Sequence, residues 1–425
     1  MLLLLPSLAA AQRQSLGTQV DAYFAAPVRT GEFSGVVLVA RGDSILVRKA
    51  YGLANSELGV KMTTEHRFMI ASLTKTFTGA AIALLDKDHT IGLQDSLARF
   101  LPDFPSAAKI RIEHLLLHSS GVPNPDYESM YGKQLSMAEL VAAIAVRPLQ
   151  FEPGTKGAYS NAGYNLLANV IERATGAPYQ RVLQERLFHP LGLTSTGDVA
   201  DGSAVTDLAT AYVEGPAPSM VRPVIPNPSQ MPGSGSVYST VGDLFHWARA
   251  LQQKRVLDPR TLRYPYGWGR RERAGGVWLE QTGMIDGWSS NIYLGLDSMI
   301  VVVALANRQA ATFGRWGREI AGMVMGEKVE PLSSGTSAVP LAAPSTDYVG
   351  RFTGPFNLRV TTISGHVFAE VGDYPVTRYL RPIGKDLFLI GDYAEQLRFE
   401  RGANGRVTGV VWGTGDSPMR FQRAP

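Results

Sequence analysis

Residues 68–85 read FMIASLTKTFTGAAIALL, and within them Leu73, Phe77, Ala80, Ala81 and Leu84 recur three and four positions apart. That period predicts a helix from Ser72 to about Asp86. Ser72 stands at its first turn, and Lys75 lies one turn on along the same face. A first-turn hydroxyl is close to N–H groups that lack an intrahelical partner and to the positive end of the helix dipole, and both favour a developing alkoxide. If the lysine is buried its pKa falls, and its neutral amine can accept the serine proton.

On the N-terminal side, residues 33–40 and 45–52 are β-rich runs joined by Arg41-Gly42-Asp43-Ser44, a hairpin signal. On the C-terminal side, residues 112–117 read as an apolar helix stopped by His118-Ser119-Ser120-Gly121-Val122-Pro123. Residues 137–147 and 163–175 read as two further helices, the second ended by Gly176. The Pro-, Gly- and Ser-rich residues 215–239 read as loop. Residues 277–282, 288–296 and 299–306 read as three strands that predict an antiparallel meander, followed by a predicted helix over 315–326. Strands at both ends with helices between predict one mixed sheet carrying a helical insertion, an α+β fold.

Residues 331–345, PLSSGTSAVPLAAPS, have linker composition. Beyond them, residues 346–425 alternate short β-rich segments with turns such as Ser364-Gly365, Gly372-Asp373 and Ala403-Asn404-Gly405, which predicts a small all-β barrel or sandwich. Its aromatic residues Tyr379, Phe388, Trp412 and Phe421 are read as core.

The chain has 425 residues, 45% hydrophobic and 18% charged, which excludes a wholly disordered protein. The net charge of +4 is too small for a dedicated nucleic-acid surface. With no cysteine, disulfides, thiolate metal sites, cysteine nucleophiles and cysteine lipidation are excluded. Residues 1–11, MLLLLPSLAAA, read as the remnant of a signal peptide, so a periplasmic or secreted protein is expected. No later run is long and apolar enough for a membrane span. The oligomeric state is left open.

There is no G-x-S-x-G elbow, H-E-x-x-H, Walker A loop or G-x-G-x-x-G. Ser72-Leu73-Thr74-Lys75 alone is a short motif that chance supplies, and Ser106-Ala107-Ala108-Lys109 repeats it. The second copy follows Pro102 and Pro105 and lacks an apolar helix behind it, so Ser106 reads as a surface residue. Two more features join the first copy: Tyr159-Ser160-Asn161, the single Tyr-x-Asn of the chain, and Gln281-Thr282-Gly283 at the end of a predicted strand. His114 and His118, four apart, could in principle clamp zinc, but no carboxylate accompanies them in the expected place. A structural role is favoured for both, and neither a metal nor another cofactor is expected.

In order along the chain, FMIASLTKTFTGAAIALL, LLLHSSGVP (115–123), YSNAGY (159–164), YGWG (266–269) and TGMIDGWSS (282–290) resemble the serine β-lactamase and penicillin-binding-protein superfamily. The branch they are most similar to holds class C β-lactamases, D-peptidases and family VIII esterases, and the likeness runs from about residue 33 to 325. It implies a β-lactamase/transpeptidase-like antiparallel sheet flanked by helices over residues 12–330; residues 346–425, outside the likeness, are expected from their strand–turn pattern to form an accessory lipocalin-like barrel.

The resemblance further implies Ser72 as nucleophile, Lys75 as its proton acceptor and Tyr159 as the proton shuttle to the leaving group. A phenol near pKa 10 does this only if the Lys75 ammonium favours its ionised form. Asn161 would bond Lys75 and the acyl side chain of the substrate, and the N–H groups of Ser72 and Met284 would form the oxyanion hole. The Gln281-Thr282-Gly283 motif departs from the family pattern, because Gln281 stands where a lysine or histidine is usual and supplies no charge for a substrate carboxylate. Arg315 sits where some class C enzymes carry a carboxylate-facing arginine, although a surface helix arginine is the plainer reading.

The expected function is therefore a serine hydrolase working through a Ser72 acyl-enzyme, an esterase for carboxylic esters or activated amides. Two alternatives stand beside it. One keeps the mechanism in a D-peptidase, carboxypeptidase or weak class C-like β-lactamase, and the other is a binding protein with a degenerate hydrolase pocket.

Overall fold

The computed structural model describes residues 15–425 except 131, 217–219, 259–265, 311, 335–337, 373, 391–394 and 415–417. The segment read as a signal remnant, residues 1–11, lies outside the described residues.

The main sheet has six strands: β1 (Gly35–Arg41), β2 (Ser44–Tyr51), β3 (Gly269–Arg273), β4 (Gly276–Ile285), β5 (Trp288–Gly295) and β6 (Ile300–Ala306). Their order across the sheet is β3-β4-β5-β6-β1-β2. Every pairing is antiparallel, so the sheet is not mixed as the strand pattern suggested. The N-terminal hairpin and the late meander join through β1 and β6, in register from Gly35↔Ala306 to Arg41↔Ile300.

Alternation along the strands divides the core. Val37, Val39, Val302 and Ala304 face Phe24 of α1 (Leu16–Thr30) and Trp316 of the last helix of this region, Phe313–Val324. Val36, Leu38, Val301, Val303 and Leu305 face the helical insertion. There Phe77 of α2 (Thr74–Lys87) stacks on Trp247 of the helix Val241–Gln252, with centroids 4.7 Å apart. Covered on both faces, β1 and β6 read as near-continuous hydrophobic runs, and β5 is buried along its whole length.

The insertion also holds α3 (Asn161–Thr175). Ser160 caps it by accepting the Gly163 N–H, and Gly176 ends it at φ 69. Several elements went unread in the sequence, among them two helices and one strand that build the first region. The helix Leu16–Thr30 contains Pro27, the helix Val241–Gln252 starts directly behind the loop-like stretch, and β3 is an exposed edge strand, GRRER.

Residues 350–423 form a closed eight-stranded antiparallel barrel, in which the last strand, Met419–Arg423, pairs back with the first, Gly350–Thr353. Phe388, Trp412 and Phe421 lie in its core, and Tyr379 is buried as well. The barrel strand Tyr374–Gly384 lies against the first region, next to Val213–Glu214 and the short helix Tyr127–Met130. No helix among the described residues is long and apolar enough to cross a membrane.

Candidate active site

A single turn of 3₁₀ helix, Ala71–Leu73, leads into α2 and carries Ser72. Ala71 sits in the left-handed region at φ 48, a conformation that costs a non-glycine residue roughly 1–2 kcal/mol. The surrounding contacts hold it there. Ser290 of β5 donates its hydroxyl to Ile70 O at 2.8 Å, and β4 passes so close that a Cβ on Gly283 would stand 2.2 Å from Ile70 O and 2.9 Å from Ser72 N. Only glycine allows the strand carrying Met284 to approach the nucleophile this closely.

Lys75, one turn on, is fully buried. Its Nζ donates to Ser72 Oγ at 3.0 Å, to Asn161 Oδ1 at 2.8 Å and to Ser234 O at 2.8 Å. No carboxylate is among these partners, so burial pushes the lysine pKa well below its ordinary value. The same three contacts suit both protonation states. An ammonium gives its three protons to three oxygens, whereas a neutral amine keeps the bonds to Asn161 and Ser234 and receives the Ser72 O–H on its lone pair. Proton transfer from serine to lysine thus needs no heavy-atom rearrangement.

Tyr159 reaches Ser72 from the other side, with its hydroxyl 2.7 Å from Oγ. Its ring lies at the rim, and Lys75 Nζ is 4.9 Å from the ring centroid. Enclosure of the phenol raises its pKa, opposed by the bond to Ser72, so this geometry holds Tyr159 protonated. The condition stated for an ionised phenol, a Lys75 ammonium beside it, is not the arrangement found: a depressed lysine stands beside a raised tyrosine.

The His118 ring lies 4.6 Å from that of Tyr159, and its Nδ1 accepts the Ser160 N–H at 3.1 Å. Burial and the nearby Lys75 push its pKa down to about 4, so the imidazole is neutral at neutral pH. His114 instead accepts the Arg111 N–H at 3.2 Å. No group of three or more metal-ligating side chains occurs among the described residues.

Asn161 opens α3, where its N–H and that of Ala162 both reach Asn124 Oδ1, at 2.9 and 3.1 Å. Ser72 and Asn161 line a cavity of about 230 Å³, together with Met231, Ser234, Met284, Asp286 and the barrel residue Arg378. Gln281 and Arg315 are not among its lining residues. Gln281 folds back on the backbone: its Nε2 donates to Gly267 O at 2.6 Å and its Oε1 accepts the Thr282 N–H at 3.0 Å. Half-exposed Arg315 donates to Glu319 at 2.8 Å. The second serine–lysine pair is superficial, with Ser106 in the left-handed region and Lys109 bridging to Glu152 at 3.2 Å.

The structure therefore assembles Ser72, Lys75, Tyr159, Asn161, Gly283 and Met284, keeps Thr282 half-buried beside them in β4, and leaves Gln281 and Arg315 off the cavity wall. Sequence reasoning missed Ser234, Asn124, Asp286 and Arg378. Ser234 acts through a backbone carbonyl, which no side-chain motif announces, and Arg378 comes from the barrel.

Penicillin-binding protein 4* of Bacillus subtilis is 28% identical over 317 residues, 66% of this chain and 69% of that protein. Teichoic acid D-alanine hydrolase of Staphylococcus aureus is 29% identical over 243 residues, 57% of this chain. The chain spans only 59% of that relative's length. Among solved structures, a D-amino acid amidase from Ochrobactrum anthropi SV3 in complex with L-phenylalanine amide superposes with a TM-score of 0.62 at 25% identity, covering 73% of this chain and 96% of that one. SurE, at 24% identity and a TM-score of 0.62, shares the fold over 96% of this chain and 99% of its own. The sequence profile of the Beta-lactamase family matches residues 20–321, the same span that brings serine, lysine and tyrosine into contact, and the chain belongs to that family.

Proposed function

We propose that the protein is a serine hydrolase that forms an acyl-enzyme on Ser72 and acts on carboxylic esters or activated amides. The observation that carries this reading is the contact of a fully buried, depressed Lys75 with Ser72 Oγ at 3.0 Å, opposite a Tyr159 hydroxyl at 2.7 Å. Neutral Lys75 takes the Ser72 proton while Oγ attacks the carbonyl carbon. The tetrahedral oxyanion forms beside the Ser72 and Met284 N–H groups, donors of a kind that contribute roughly 3–4 kcal/mol each to the transition state. As the carbon–oxygen or carbon–nitrogen bond breaks, Tyr159 gives its proton to the leaving group and is reprotonated from the Lys75 ammonium. Water then attacks the acyl-enzyme, which releases the acid and restores Ser72.

Esters and neutral amides are favoured over substrates held by a carboxylate. Gln281 is occupied by backbone, Arg315 by Glu319, and the cavity's Arg378 by Asp286 at 2.7 Å. The names of the relatives, a D-alanine hydrolase and a D-amino acid amidase among them, support acyl transfer on small substrates and keep D-aminoacyl esters and amides within the proposed class.

A fluorophosphonate probe tests the reading. Intact mass and peptide mapping are expected to place one adduct on Ser72. Lys75→Ala should abolish labelling and lower kcat/KM for p-nitrophenyl butyrate by about 10³-fold. Absence of any adduct in folded protein would favour a binding protein with a degenerate pocket.

A further inference from the structure

The Met284 amide lies close to the end of its strand. β4 stops at Ile285, the two-residue turn Asp286-Gly287 follows, and β5 starts at Trp288. A turn of this length transmits any tilt of Asp286 directly to the Ile285↔Trp288 and Met284↔Ser289 pairs. Asp286 is 7% exposed, and its carboxylate is held by Arg378 Nη2 at 2.7 Å.

Arg378 comes from the barrel strand Tyr374–Gly384 and is itself only 9% exposed. Its Nη1 also reaches Gln309 Oε1 at 3.3 Å, in the segment that follows β6. One barrel guanidinium thus ties together the turn after β4 and the segment after β6, at the wall of the cavity that contains Ser72. A carboxylate so enclosed cannot be left without its partner; it would move towards water and take the turn with it.

We propose that Arg378 is a positioning residue of the hydrolase site: through Asp286 it fixes the turn after β4 and so places the Met284 N–H for the oxyanion. The barrel is then a working part of the site rather than an appendage. The catalytic consequence rests on the reading of Ser72 as nucleophile; the mechanical one, a braced turn, does not.

Arg381, three residues along the same strand, supplies the control. Its guanidinium meets Glu214 at 3.0 Å on the same interface but does not line the cavity. With p-nitrophenyl butyrate, Arg378→Met is expected to lower kcat about tenfold or more with KM changed less than threefold, and to slow fluorophosphonate labelling of Ser72 in proportion. Arg378→Lys should recover part of the loss, and Arg381→Met should leave kcat unchanged.

Hydrogen exchange gives a readout that does not require turnover. The amides of residues 284–287 should exchange faster in Arg378→Met than in Arg381→Met or the wild type. Unchanged exchange there overturns the brace whatever the activity. Equal losses of kcat in the two Met variants would also overturn it, because they would reduce Arg378 to a docking contact. A wild type that neither labels nor turns over ester, yet shows the Arg378-dependent exchange, overturns the hydrolase reading and keeps the brace.

Discussion

Lys75 Nζ lies 2.8 Å from the carbonyl oxygen of Ser234, a residue 159 positions away in the chain. With Asn161 Oδ1 at the same distance, this carbonyl holds the amine in place with neutral acceptors alone. A buried amine supported by dipoles instead of a carboxylate gives up its proton readily. Its position does not depend on being charged, which is what a general base beside a nucleophile requires.

The first prediction follows from that charge balance. Catalysis needs neutral Lys75, so kcat/KM for a neutral ester should rise with pH through the depressed lysine pKa and then level off. Asn161→Asp puts a carboxylate beside Nζ and stabilises the ammonium. The rising limb should move to higher pH by roughly 1–3 units, with a correspondingly lower rate at neutral pH. An unmoved limb in the variant would mean that another group controls the profile.

Gly283→Ala should separate packing from chemistry. The added Cβ would meet Ile70 O at 2.2 Å and crowd Ser72 N, so β4 must retreat from the 3₁₀ turn. A loss of about 1–3 kcal/mol in stability is expected from overpacking, measured by chemical denaturation. A fall of about 10²-fold in kcat should accompany it, as when one oxyanion donor is displaced.

His118 gives a pH-dependent stability. Its folded pKa of about 4 lies below the ordinary histidine value of 6.5. Between these values the unfolded chain binds the proton more readily, so this group's contribution to stability falls as pH is lowered from about 6.5 to about 4 and levels off below that. In His118→Gln that contribution disappears. The difference in melting temperature between wild type and variant, followed across this range, should shrink towards acid pH.

Gln281→Lys tests the charge argument for substrate choice. Lysine can still donate to Gly267 O, the present partner of Gln281 Nε2, while adding a cation near the site. Turnover of a cephalosporin relative to p-nitrophenyl butyrate should rise. An unchanged ratio would show that charge at this position does not select between the two substrates.

Much of the fold was legible because the relevant signals are local. The apolar period of residues 68–85, the hairpin turn after Arg41 and the strand–turn pattern of residues 277–306 each report a nearby backbone preference, and the elements formed close to the expected bounds. Ser72 and Lys75 could be placed on one face because three residues of helix fix their relation. The closure of residues 350–423 into a barrel was not decided by the sequence pattern, since a sandwich has the same alternation along each strand.

The sequence by itself determined the chemistry on offer: a serine and a lysine one helical turn apart, a tyrosine–asparagine pair, a glycine before Met284, and no cysteine. Only the tertiary structure decided which states those groups occupy. Depression of the lysine pKa depends on burial among neutral acceptors, one of them the Ser234 backbone carbonyl. Withdrawal of Gln281 from the cavity depends on the Gly267 carbonyl, 14 positions away and outside its motif. The pairing of Arg378 with Asp286 depends on the docking of two regions 92 positions apart. These are properties of enclosure and long-range contact, and they exist only once the chain has closed around the site.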